Sequence, residues 1–238
     1  MFPLLAVLEK MMTTAMTNTH ETSCVPPFGN SAKHEIEQVV NERNIDYLLH
    51  FTRLSNLAGI LQHGLYPRSR LDELPQAVAI NDRCRFDNRT DSNSLSLGHP
   101  NDSMFYKYRQ STSEEWAVLV IEPSVLWESE CAYCKHNAAD HRISRLPLES
   151  LTGGAALCGM FEECDGLPSR AAQNLHPFDP TDHQAEALIF DVISPSKIRG
   201  AVFRNLEALY LYASKYPQFK FACHQEGTGV FARRAFVR

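Results

Sequence analysis

A carboxylate stands at the mouth of a strand-like run in HPFDPTDHQAEALIFDV, residues 176–192. Ala187, Leu188, Ile189, Phe190 and Val192 form an apolar stretch of the kind buried on both faces of a sheet. Glu186 sits at its entrance between two alanines, which leave space around the carboxyl group. Such a carboxylate serves as a surface cap, as a salt-bridge partner, or as a catalytic group that stabilises developing positive charge. CAYCKHNAADH brings Cys131, Cys134, His136 and His141 close in sequence. A C-x2-C pair can grip one zinc ion and imidazoles can complete the tetrahedron. Here the histidines follow too closely to make a comfortable second pair. The competing reading is two small buried thiols, and no metal is expected. NDRCRFDNR places Arg83, Arg85 and Arg89 within seven residues, with Arg68 and Arg70 shortly before. This is either a solvated loop or a local basic patch for phosphates. A strand histidine, His50 in LLHFT, is either a satisfied structural group or a ligand contact.

Several common chemistries are absent by motif. The chain has no G-x-S-x-G elbow and no cysteine-protease signature. LTGGAALCG lacks the Lys-Ser/Thr of a P-loop, and there is no G-x-G-x-x-G. At 238 residues, 44% apolar and 21% charged, the chain can bury one sizeable core. A net charge of −5 argues against a broad nucleic-acid-binding surface but leaves a local patch open. Seven cysteines without regular spacing fit a reducing compartment. MFPLLAVLEKMM is too short for a membrane span and lacks a basic n-region, so a cytoplasmic protein without a lipid anchor is expected.

The elements that must position these groups can be read from periodicity. Residues 1–33 show little of it and predict a weakly ordered extension, with a short helix near Leu4–Met12; residues 34–238 form the domain. Ile36, Val39 and Val40 predict an amphipathic helix. YLLHFT (47–52) predicts a strand, and LSNLAGILQHGL (54–65) a helix with Ser55 as N-cap and Gly64 at its end. SNSLSLG (92–98) alternates as a strand, and DSMFYKYRQ (102–110) predicts a helix capped by Asp102. WAVLVIEP (116–123) is the clearest buried strand. CAYC predicts a strand or loop, and a short helix is predicted over 155–163 within the loop-rich region 144–182. IRGAVFRN is a further strand and LEALYLYASKY a helix; FKFAC and GVFARRAFV are predicted as closing strands. The class is α+β.

Taken in order, LLHFT…NLAGILQHGL, INDRCRFD, SLSLGHPNDSMFYKYR, WAVLVIEPSVLW, CAYCKHNAA and PFDPTDHQAEALIFDV resemble the DarT-like family, bacterial toxins that transfer ADP-ribose from NAD to nucleic acid. The resemblance runs from about Arg43 to Phe203. It implies an ADP-ribosyltransferase fold: two small facing sheets, an NAD cleft between them and peripheral helices. It also implies roles. His50 and Thr52 match the strand that holds the nicotinamide end of NAD. Arg85 in RFD matches the functional arginine, with Arg83 as the competing register. Asn137 matches the NAA element, and Glu186 the catalytic glutamate. The family often has Asn-Tyr-Lys-Met where this chain has NDSM at 101–104.

Cleavage of the nicotinamide–ribose bond builds oxocarbenium character at the ribose carbon, which a carboxylate stabilises. The acceptor nitrogen must be positioned and relieved of a proton. Arginine is a poor base, its pKa lying above about 12, so Arg85 is expected first to bind the NAD pyrophosphate or the target nucleotide. The loop before Glu186 should face the acceptor, with His176, Phe178 and His183 either stacking on bases or packing the loop to the body. Single-stranded DNA is the implied acceptor and RNA the alternative, with a cognate antitoxin as partner. Two other readings are a protein-directed transferase and a zinc-stabilised binding module without catalysis.

Overall fold

The alternation in WAVLVI determines how the body is layered. The computed structural model describes residues 30–75, 78–79 and 89–238. Its elements in chain order are α1 (Asn30–Arg43), β1 (Leu48–Arg53), α2 (Leu54–His63), β2 (Asn93–Leu97), α3 (Asp102–Ser111), β3 (Trp116–Ile121) and α4 (Val125–Glu128). They continue with β4 (Cys131–Cys134), α5 (His141–Ser144), α6 (Gly153–Gly159), β5 (Glu186–Ile189), β6 (Ile198–Phe203), α7 (Leu206–Lys215) and β7 (Lys220–Cys223). All six residues of β3 are buried. Ala117, Leu119 and Ile121 enter one core with the helices α1 and α2, while Trp116, Val118 and Val120 enter a second with Phe105 of α3 and Phe231. A strand with period 2 and two apolar faces must be covered on both sides, and it is.

The strands run β4-β5-β2-β1-β3-β6-β7 in one hydrogen-bonded sheet. The α+β class holds, but the two expected sheets are joined rather than separate. Their junction is short: Leu48 pairs Leu97 and Leu49 pairs Ser96. β6 and β7 are the parallel pair, linked by the crossover helix α7; the other pairings are antiparallel.

Cap positions move from the sequence reading. Asn101, not Asp102, caps α3, its side chain accepting from the Met104 N–H. Arg53 precedes α2 without a side-chain cap, so Ser55 is not the cap; Gly64 ends the helix at φ 101°. GVFARRAFV is not a strand. It forms 3-10 turns at Gly229–Phe231 and Arg234–Phe236. Val230 and Phe231, although adjacent, enter the same core, whereas neighbours on a strand face opposite ways. The helix expected near Leu4–Met12 lies outside the described residues.

One glycine is required by close approach. The β3–β6 register slips between Val120 and Ile121, and Gly200 lies opposite Lys220 of β7. A Cβ on Gly200 would stand 1.6 Å from the Lys220 carbonyl oxygen. Gly200→Ala must push β7 off β6, and an expected loss of roughly 3 kcal/mol follows from overpacking against backbone that cannot rotate away. Denaturant unfolding checks this; a loss below 1 kcal/mol would show that β7 yields freely.

Candidate active site

The cleft begins where β1 and β2 part. Beyond their two residue pairs no ladder bond joins them; His50 reaches across instead, with Nδ1 3.0 Å from the Ser94 carbonyl oxygen. A carbonyl only accepts, so Nδ1 carries a proton in this contact. The opening is a cleft of about 550 Å³, within the usual range of small-molecule and cofactor sites. His50, Thr52, Asn137 and Glu186 all line it.

Thr52 is buried and its Oγ1 accepts from Asn56 Nδ2 at 3.2 Å. The Asn56 amide also clasps the Ala79 backbone in both directions, at 2.8 and 2.9 Å. Strand β1, helix α2 and Ala79 are thereby tied together on one wall of the cleft. Arg83 and Arg85 lie outside the described residues. Of the other arginines in that region, Arg68 lines the cleft, and Arg70 binds both oxygens of Glu73.

Glu186 opens β5 opposite Cys134. Ala187 and Ile189 face the main core and Leu188 the other side, so Glu186 shares the Leu188 face. There its Oε1 accepts from the Ala138 N–H at 2.7 Å. Asn137 Oδ1 accepts from the Ala139 N–H at 3.0 Å, an Asx turn that shapes this connection. The NAA element therefore touches the glutamate through backbone. Side-chain pattern carries no signal for that contact.

A buried pair fixes the two segments that meet at Glu186. His136 Nδ1 lies 2.7 Å from Asp182 Oδ2, their side chains only 5% and 6% exposed. Asp182 Oδ1 accepts from the Gln184 N–H at 2.8 Å. The exit of β4 and the approach to β5 are thus joined just before the residues that line the cleft. Sequence reading had placed His136 among zinc candidates. In the structure Cys131 belongs to the main core and Cys134 to a separate cluster across the sheet. Positions three apart on a strand face opposite ways, so the two thiols do not share an ion. Burial pushes the Cys131 thiol up to about 12. Among the described residues no group of three or more His, Cys, Asp or Glu is arranged to hold a metal.

The loop before Glu186 is held by three arginines. Arg170 donates to the carbonyls of Asp179 (2.6 Å) and His176 (2.9 Å). Arg234 donates to those of Pro180 (2.7 Å) and Thr181 (3.0 Å). Arg238 makes a bidentate pair with Asp179, at 2.5 and 2.7 Å, with both side chains buried. Phe178 packs against the main core beneath the Arg238 guanidinium, 5.6 Å from its ring centroid, and His176 leans on Phe178. Neither lines the cleft. His183 is the one of the three expected base-contacting residues brought to its rim, bonded to the cleft-lining Ser103.

A family model described as ssDNA thymidine ADP-ribosyltransferase, DarT, matches residues 49–210. No curated protein matches the chain. Among solved structures, Thermosipho africanus DarTG in complex with ADP-ribose is similar at a TM-score of 0.54 and 12% identity, over 78% of this chain and 51% of that one. The chain thus spans about half the length of that relative, and the likeness is one of fold. Thermus sp. 2.9 DarT in complex with ADP-ribosylated ssDNA gives a TM-score of 0.49 at 15% identity, over 76% of this chain and 95% of that one. The same Thermus protein in complex with NAD+ gives 0.47 at 13%, over 76% and 96%. With the model spanning more than half of the sequence, from β1 into α7, the chain belongs to the DarT family of ssDNA thymidine ADP-ribosyltransferases.

Proposed function

We propose that this protein transfers ADP-ribose from NAD to thymidine in single-stranded DNA and releases nicotinamide. The observation that carries the reading is Glu186 at the cleft, its carboxylate held by the Ala138 N–H, with His50, Thr52 and Asn137 on the surrounding walls. The cleft suits a dinucleotide in size and in its mix of apolar wall and polar groups. NAD supplies the ADP-ribosyl group and a neutral leaving group. The Glu186 carboxylate offsets positive charge that grows at the ribose carbon, in a site already organised before the reaction. Thr52 and Asn56 hold the opposite wall in register, and His50 offers a polar edge between the parted strands.

Arg85 is assigned to binding the pyrophosphate or the target nucleotide, a role that suits its fixed charge and five donors. Arg85→Ala is expected to weaken NAD or oligonucleotide binding by roughly tenfold or more, as for loss of a charge-assisted hydrogen bond. Titration calorimetry with each ligand checks this; unchanged affinity for both removes the role. The chain is further proposed to act as the toxin of a toxin–antitoxin pair, a reading that rests on family membership. Among the described residues no helix is long and apolar enough to cross a membrane. We place the protein in the cytoplasm, where NAD and its nucleic-acid acceptor are found. Incubation with labelled NAD and matched DNA and RNA oligonucleotides, with and without thymidine, tests the whole reading. Label on thymidine-bearing DNA supports it; label on RNA alone, or on protein, replaces it.

A further inference from the structure

The reaction leaves one proton unassigned. In thymidine, whose N1 is bonded to the sugar, the base has a single N–H, at N3, and that nitrogen becomes a competent nucleophile only as the proton leaves. The Glu186 carboxylate is assigned to the charge growing at the ribose carbon, and an arginine at position 85 is too basic to accept the proton. Besides His50, whose ring is held on the wall between β1 and β2, one imidazole stands at the cleft rim. His183 Nε2 lies 3.0 Å from Ser103 Oγ, and Ser103 lines the cleft on the first turn of α3. The same Nε2 lies 3.5 Å from Asp102 Oδ1, and His183 Nδ1 lies 3.8 Å from Asp182 Oδ1. The histidine thus sits between two carboxylates. Both carboxylates are held from behind. Asp102 Oδ2 accepts the Arg234 N–H at 2.8 Å, and Asp182 Oδ2 bonds His136. The charged groups facing His183 from the surrounding elements are therefore Asp102, Asp182, the His136 behind Asp182 and the Arg234 side chain near both.

We infer that Ser103 and His183 form the proton route for the acceptor, with the Ser103 hydroxyl passing the thymine N3 proton to His183 Nε2. The inference rests on the proposed transfer to thymidine. In that step the bond between the ribose carbon and nicotinamide nitrogen breaks, and its electron pair leaves with neutral nicotinamide. The N3 pair forms the new bond to the ribose carbon. The N3 proton moves to Ser103 Oγ as the Ser103 proton moves to His183 Nε2. Asp102 and Asp182 stabilise the resulting imidazolium, which later releases the proton to water.

The test compares acceptors that differ in N3 acidity and little in shape. Oligonucleotides carry either thymidine or 5-bromodeoxyuridine, whose bromine replaces the methyl group and makes N3 more acidic. With thymidine, His183→Ala and Ser103→Ala are expected to lower kcat about 100-fold, the lower end of general-base effects, with KM for NAD unchanged. With 5-bromodeoxyuridine the deficit should shrink at least several-fold. Added imidazole should restore part of the His183→Ala rate. His183→Gln keeps a hydrogen bond to Ser103 but accepts no proton, so a folded, equally slow His183→Gln protein separates proton transfer from loop packing. Equal deficits with both acceptors and no imidazole rescue, or full activity of any of these variants, overturn the route. A wild-type protein that leaves thymidine unlabelled overturns the functional reading instead, and the two failures are distinct.

Discussion

Glu186→Gln is expected to abolish ADP-ribosyl transfer and leave the fold in place. The amide has the shape of the carboxylate, and its oxygen can still accept the Ala138 N–H that Glu186 Oε1 accepts at 2.7 Å. What disappears is a full negative charge in a cleft walled by buried strands. Removing one preorganised electrostatic contact of this kind costs on the order of 100- to 1,000-fold in kcat. Glu186 is half-buried at the first position of β5, so unfolding should shift by little. Product formation from labelled NAD and a thymidine-bearing oligonucleotide, beside a thermal melt, reads both effects. A variant with normal turnover sinks the mechanism. A variant that melts far earlier shows that Glu186 holds the β4–β5 connection instead.

Asp179→Ala is expected to be the most damaging single change to stability outside the cores. The Asp179 side chain is fully buried and accepts from Arg238 Nε, Arg238 Nη2 and the His176 N–H. Truncation leaves the Arg238 guanidinium, 3% exposed, without its counter-charge. Breaking a buried pair from one side costs about 3–5 kcal/mol, or roughly 10 °C in Tm for a chain of this size. The damage should reach activity, because the same loop carries His183 and leads into Glu186. Adding Arg238→Ala to Asp179→Ala should recover part of the loss, since the stranded charge goes with it. Calorimetry of the two single variants and the double variant decides. Additive losses would mean that the pair is not coupled.

Several elements are legible in the sequence. WAVLVI is buried along its whole length as its run of apolar residues implied, and the 54–63 and 206–215 helices fall within the spans that their apolar spacing marked. Local interactions set these elements, and local interactions are what periodicity reports. At α3 the cap slipped by one residue because neighbouring polar side chains compete for the same orphan N–H groups, while α2 starts after Arg53 with no side-chain cap. Asn101 takes the α3 cap from Asp102, which frees Asp102 to meet the Arg234 N–H and face His183. The closing segment was misread for a different reason. Val230, Phe231 and Arg234 are buried by contacts with distant parts of the chain. Phe231 packs on Phe105 of α3, and Arg234 on carbonyls at 180 and 181.

By itself the sequence determined the α+β class, the order of most strands and helices, and the carboxylate at the head of β5. The resemblance of its motifs added a role for that carboxylate. Tertiary structure decided the rest. It joined the strands in one sheet and opened that sheet between β1 and β2, where His50 replaces a ladder bond. It supplied the Glu186 contact from a backbone N–H 48 residues away, sent the two strand cysteines to opposite faces, and locked the loop before Glu186 with Arg234 and Arg238. These contacts join groups far apart in the chain, several of them main-chain atoms that every residue type shares. No local pattern encodes such a meeting; it exists only once the packed sheet brings the partners within hydrogen-bonding distance.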